Sequence, residues 1–155
     1  MGEIKARLQA DLTAAMKARD EFTKSTIRMA LGAIQYAEVA GDQARELSAT
    51  EELAVLSKEQ RSRTESAQTY AEAGRPELAE KEAAEAEFLA RYLPQPLSEA
   101  ELVEIVDAQV AAAAAELGGP PTMKQMGAIV RAINEQVTGR ADGKTVAGLV
   151  RQRLA

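Results

Sequence analysis

The chain has 155 residues, a formal net charge of −5 and 3% aromatic residues, with no cysteine and no histidine. Without those two residue types there are no disulfides, thiolate nucleophiles, common zinc sites or Ser-His-Asp chemistry, and the usual proton shuttle near neutral pH is missing. The longest uncharged runs, Met29 to Ala37 and Ala108 to Ala115, are far too short to cross a bilayer.

Alanine, glutamate, leucine and arginine dominate, which is the composition of an all-α protein, since strands would draw on more β-branched and aromatic residues. Charge alternates from Glu3 onward with no apolar core of a signal peptide, so the expectation is a cytoplasmic protein with no membrane partner. No cofactor and no metal site is expected, and no catalytic constellation is visible.

The first helix is predicted from near Glu3 to Arg19, with Ile4, Leu8, Leu12, Ala15 and Met16 as its apolar stripe. The second covers roughly residues 22–40, with Ile27, Leu31, Ile34 and Val39 inside and Gly41-Asp42 ending it. Ser48-Ala49-Thr50-Glu51 reads as a capping box, in which the hydroxyl and the carboxylate each satisfy an orphan backbone N–H. The third helix runs from there to Ala73. Gly74 suits a left-handed C-cap and Pro76 the first turn of a fourth helix, so the two form an antiparallel hairpin. Ala79, Ala83, Ala86, Ala90 and Leu93 recur on the fourth helix at a spacing that predicts a buried face of small residues.

Leu93-Pro94-Gln95-Pro96-Leu97 cannot continue a helix and favours an extended link. It divides an N-terminal four-helix domain, 1–93, from a smaller three-helix unit, 98–155, with 94–97 between them. Ser98-x-x-Glu101 caps a fifth helix that runs to Leu117, and Gly118-Gly119-Pro120-Pro121 breaks the chain again. Thr122-x-x-Gln125 caps a sixth helix whose stripe is Met126, Ile129, Val130, Ile133 and Val137. Asp142 caps a seventh, with Val146, Leu149, Val150 and Leu154 apolar.

The charge is unevenly spread. Residues 120–155 hold six cations and two anions, a balance of +4, which leaves −9 for residues 1–119. A basic tail on an acidic body suggests an end that faces a polyanion. Lys124 and Arg131 lie seven residues apart, as do Lys144 and Arg151, so each pair falls on one helix face, with Arg140 in the turn between. If the two helices are antiparallel neighbours, these five cations form a candidate RNA-binding ridge. The plainer reading is a set of ordinary solvated cations, with Arg151 and Arg153 complementing a helix C-terminus.

Gly127 and Gly148 sit inside helices, where each costs about 1 kcal/mol relative to alanine. Close packing of another helix explains that cost, and so does the approach of a nucleic-acid backbone. Gly127, Gly139 and Gly143 are the candidate positions for such an approach, although Gly139 also suits a C-cap and Gly143 a first helical turn. Lys58, Arg61, Arg63 and Arg75 form another basic cluster, and with Glu59 and Glu65 beside them they read as a salt-laced surface. Glu77, Glu80, Glu82, Glu85 and Glu87 read as a solvated acidic face. Tyr36, Tyr70 and Tyr92 are too scattered for a base-stacking platform.

Ile27-Arg28-Met29, Lys58-Glu59-Gln60-Arg61, the run from Ala73-Gly74-Arg75-Pro76-Glu77 to Glu82, Tyr92-Leu93-Pro94, and the tail from Lys124-Gln125-Met126-Gly127 to Gly139-Arg140-Ala141-Asp142-Gly143 resemble the YqeY family over nearly the whole chain. The tail also resembles the C-terminal helical domain of the B subunit of aspartyl/glutamyl-tRNA amidotransferase, a tRNA-contacting appendage distinct from the catalytic part. The resemblance implies an all-α fold and a link to tRNA. It does not imply amide transfer, because the catalytic cradle has no counterpart in this chain.

Two functions of different class follow. One is a non-catalytic accessory protein that binds tRNA or another structured RNA through the C-terminal unit. The other is an adaptor that docks on another helical protein. A carbon–nitrogen ligase using glutamine as amido donor is a third reading, which family association alone supplies.

Overall fold

A computed structural model describes residues 1–154. They form seven α-helices and, among the described residues, no strand. The helices are α1 (Glu3–Ala18), α2 (Glu21–Glu38), α3 (Ala49–Glu72), α4 (Pro76–Leu89), α5 (Glu99–Leu117), α6 (Met126–Val137) and α7 (Gly143–Arg153). Single 3-10 turns at Ala90–Tyr92 and Met123–Gln125 extend α4 and precede α6. The chain divides into two compact units, Met1–Pro94 and the residues from Gln95 onward.

The helix ends follow local chemistry. Ser48 accepts the N–H of Glu51 at 3.2 Å, while the Glu51 carboxylate accepts that of Ser48 at 2.8 Å. Ser98 and Glu101 repeat the arrangement at 3.1 and 2.8 Å, and Gln125 accepts the Thr122 N–H at 2.7 Å. Asp20, whose capping role the sequence pattern did not reveal, accepts the Thr23 N–H at 3.1 Å and starts α2. Gly74, φ 72°, follows α3 in the left-handed conformation that lets the hairpin turn without a Cβ clash. Pro76 then opens α4, where its missing N–H has no helical partner to lose.

In the first unit, Leu8 from α1, Ile27 and Ile34 from α2, Leu56 from α3 and Leu89 from α4 are fully buried in one cluster. Burial of each such side chain contributes about 1.5–3 kcal/mol, somewhat more than the roughly 1 kcal/mol of a typical cap, and there are more of them, so packing rather than propensity holds the helices together. In the second unit, Leu102 and Val106 of α5 meet Ile129, Ile133 and Val137 of α6 and Val146 and Val150 of α7.

Several sequence-based assignments need correction. Met16 and Val39 are exposed, because α1 turns its Leu8/Ala15 side inward and α2 ends at Glu38, before Val39. On α4 and the 3-10 turn that follows it, Ala83 and Ala90 face solvent, while Glu85, Ala86, Phe88 and Leu89 are buried and Glu82 is half-buried. The register is off because alanine occurs on several faces of this helix and therefore carries no phase. Two members of the expected solvated acidic face, Glu82 and Glu85, are drawn inward by Arg63 on the facing helix.

Candidate nucleic-acid interface

The second unit is electrically polarised. Its first part, residues 95–119, carries five acidic groups (Glu99, Glu101, Glu104, Asp107, Glu116) and no cation, whereas residues 120–155 carry the balance of +4. The cations are set by helix geometry. Arg131 lies midway between Ile129 and Ile133, both buried, so it projects from the opposite side of α6. Lys144 and Arg151 share the side of α7 away from Val146 and Val150. Lys124 stands exposed on the 3-10 turn before α6.

These four side chains form no ion pair among the described residues. In the first unit some cations are paired: Lys5 with Glu38 at 2.8 Å, Lys24 with Glu21 at 2.7 Å, Arg45 with Glu51 at 2.6 Å and Arg75 with Glu77 at 3.1 Å. Arg63 belongs to the same pattern, lying 3.1 Å from Glu59 of its own helix and 3.9 and 3.7 Å from Glu82 and Glu85 across the hairpin. The salt-laced reading of this basic cluster therefore holds at Arg63 and Arg75. Burial, and then the neighbouring Glu82, push the Glu85 carboxyl above its ordinary pKa, and Arg63 offsets part of that shift.

Arg140 has a structural task besides any contact with a ligand. Its Nε donates to the carbonyl of Gln95 at 2.9 Å, and its own carbonyl accepts the Leu97 N–H at 2.9 Å. The turn between α6 and α7 thereby holds residues 95–97 within the second unit. Arg153, in the last turn of α7, pairs with Asp107 of α5 and donates to the Leu149 carbonyl at 3.0 Å.

The glycines separate into two kinds. Gly139, φ 79°, has the left-handed conformation that follows a helix end. A Cβ on Gly143 would meet the Asn134 side chain at an ordinary 3.8 Å, so no close approach within the chain requires glycine there. A Cβ on Gly127 or Gly148 would meet nothing within 4 Å, so helix packing inside this chain, one of the two explanations from sequence, is not the reason for either. Asp142 caps α7 by accepting the Lys144 N–H at 3.4 Å and sets a negative charge at that helix start, which disfavours a phosphate there.

The sequence gives no hint of a second cationic feature, in the first unit, where Arg7 and Arg91 meet Phe22, Phe88 and Tyr92. Its members come from three separated segments, and only the relations of Phe88 to Arg91 and Tyr92, three and four residues on, could have been read locally.

Among the described residues, no helix is long and apolar enough to cross a membrane. The family model described as YqeY-like protein matches residues 5–154. The chain is 35% identical over 100 residues to "Altered inheritance of mitochondria protein 41, mitochondrial" of Meyerozyma guilliermondii, a match that covers 64% of this chain and 51% of that protein. The matched stretch thus spans about half the length of that curated relative.

Proposed function

This chain belongs to the YqeY-like protein family, and we propose that it is a non-catalytic accessory protein that holds structured RNA, tRNA foremost, on the solvent sides of α6 and α7. The observation that carries this reading is the set of exposed cations Lys124, Arg131, Lys144 and Arg151, which lack ion-pair partners among the described residues and lie within a segment, residues 120–155, whose charge balance is +4. Unpaired cations fixed on helices release the counterions of a phosphate backbone when it binds, and that release drives association. The likeness of residues 124–143 to the tRNA-contacting tail of the amidotransferase B subunit supports RNA as the polyanion. Amide transfer is not part of the proposal, since the chain has no phosphate-cradling GxxxxGK[ST] loop. The cytoplasm is the proposed place of action. The Meyerozyma relative is, by its name, mitochondrial.

A second reading, docking on a helical protein, is favoured by Leu117 and Met123, large apolar side chains exposed on either side of the 118–121 break. Ionic strength separates the two, because phosphate contacts weaken steeply with salt and a packed apolar interface does not. The test is binding of the purified full chain to total cellular tRNA, beside duplex DNA of matched length, at low and physiological salt. Salt-sensitive binding that prefers tRNA supports the proposal. No binding to tRNA at low ionic strength overturns it in favour of the adaptor.

A further inference from the structure

We infer that the first unit carries a separate nucleotide-binding site, in the cleft between α1, the first turn of α2 and the end of α4. This goes beyond the RNA reading of α6 and α7 and does not rest on it. The cleft has a volume of about 420 Å³ and is lined by Arg7, Asp11 and Asp20 together with Phe88, Arg91 and Tyr92.

Its two cations are held in place without being neutralised. The Arg7 guanidinium lies 5.1 Å from the centre of the Tyr92 ring and donates to the Arg91 carbonyl at 3.3 Å. The Arg91 guanidinium lies 4.8 Å from the centre of the Phe88 ring. Ring faces and a backbone carbonyl fix the direction of a guanidinium but leave its full charge and most of its N–H groups available. Neither arginine forms an ion pair with a carboxylate among the described residues, although Asp11 and Asp20 line the same cleft.

Those carboxylates are already engaged. Asp11 accepts the Tyr92 hydroxyl. Asp20 accepts the Thr23 N–H at 3.1 Å and the Thr23 hydroxyl at 2.7 Å. Hydrogen bonding leaves both carboxylates charged, so the four side chains balance in formal charge; the donors left open in the cleft are the two guanidiniums, and the ligand that takes them is an anion. Planar guanidinium forks match the oxygens of a phosphate.

The second half of the ligand is set by the aromatic rim. Phe22 is 40% exposed and stands edge-on to Phe88, ring centres 6.3 Å apart. Phe22 lines a neighbouring hollow of about 570 Å³, which shares Phe88 and Arg91 with the cleft. A phosphate between Arg7 and Arg91 with a planar ring against Phe22 is a nucleotide. Free mononucleotides and the residues of an RNA strand share that chemistry.

The test is a titration of the isotopically labelled full chain, followed by amide chemical shifts, with adenosine 5′-monophosphate, adenosine, inorganic phosphate and a four-residue adenine oligoribonucleotide. Saturable shifts centred on Arg7, Phe22, Arg91 and Tyr92 are expected. Arg7→Gln and Arg91→Gln should each weaken the monophosphate about tenfold, as removal of one charge-assisted hydrogen bond does. Both side chains are exposed, so helix content should stay at the wild-type level. Phe22→Leu should weaken the monophosphate and adenosine and leave inorganic phosphate unchanged. Tighter binding of the monophosphate than of the oligonucleotide supports the site and marks it for free nucleotides, and the reverse order supports it and marks it for RNA. The absence of saturable shifts with both, shifts confined to residues 122–153, or wild-type affinity in Arg91→Gln would overturn the inference.

Discussion

The carboxyl group of Glu52, in the first turn of α3, accepts the backbone N–H of Lys5 at 2.9 Å and caps α1 from a different helix. The N-cap residue of α1, Gly2, has no side chain to do this, and a Cβ there would lie 2.1 Å from the Glu52 Oε1. The absence of a side chain at Gly2 makes room for the carboxyl, which is 1% exposed. Gly2→Ala and Glu52→Ala should each lower stability by about 1–2 kcal/mol in urea denaturation, the cost of removing a cap. Because both disrupt the same hydrogen bond, the double variant should fall clearly short of the sum. Additive effects would mean that the two residues act independently.

Arg63 faces three carboxylates, Glu59, Glu82 and Glu85, and Glu85 is 4% exposed. Removing the cation leaves buried negative charge unpaired, so Arg63→Met should cost about 3–5 kcal/mol. Glu85 has the opposite sign. Its carboxyl titrates above the ordinary value of 4.5, so the folded state holds that proton more tightly than the unfolded chain. Its contribution to stability therefore rises as pH falls from neutral toward 4.5. Glu85→Gln should remove this increment and leave the protein at least as stable at pH 7. Denaturation midpoints of both proteins between pH 7 and 5 check it, and identical pH profiles would contradict it.

What the sequence could convey depended on how far apart the interacting residues lie. Ser48 with Glu51, Ser98 with Glu101 and Thr122 with Gln125 are local pairs, and the helix starts they predict are found. The stripes of α6 and α7 were legible because branched apolar residues recur there against polar neighbours. On α4 the alanines carry no such phase, and the inward turn of Glu82 and Glu85 depends on Arg63, some twenty residues earlier in the chain. The exposed positions of Lys124, Arg131, Lys144 and Arg151 followed from spacing alone. The tie between Arg140 and Gln95 did not, since it bridges 45 residues. The aromatic group of Phe22, Phe88 and Tyr92 likewise exists only after α2 and α4 have packed.

Gly127 and Gly148 lie within helices with open space where a Cβ would go. Gly127→Ala and Gly148→Ala should therefore each raise stability by about 0.5–1 kcal/mol through reduced entropy of the unfolded chain. Thermal denaturation of the single and double variants measures this, and a drop in stability would show that the space is not open in solution.

Arg140 should behave unlike the other basic side chains of its unit. Arg140→Gln removes the guanidinium bond to the Gln95 carbonyl, so cleavage by protease at residues 94–97 should quicken, with stability lower by about 1 kcal/mol. Arg131→Gln and Lys144→Gln should leave cleavage there unchanged. Equal cleavage rates in all three would remove the structural role assigned to Arg140.

The most direct measurement of RNA holding by α6 and α7 is the salt dependence of tRNA binding for wild type beside the Arg131→Glu/Lys144→Glu variant. Both positions point away from the core, so helix content should match wild type. The logarithm of the wild-type association constant should fall linearly with the logarithm of salt concentration. The variant should bind far more weakly at low salt, with a slope smaller by about one unit for every phosphate it no longer neutralises. Wild-type affinity and an unchanged slope in the charge-reversed protein would contradict an RNA interface on these helices.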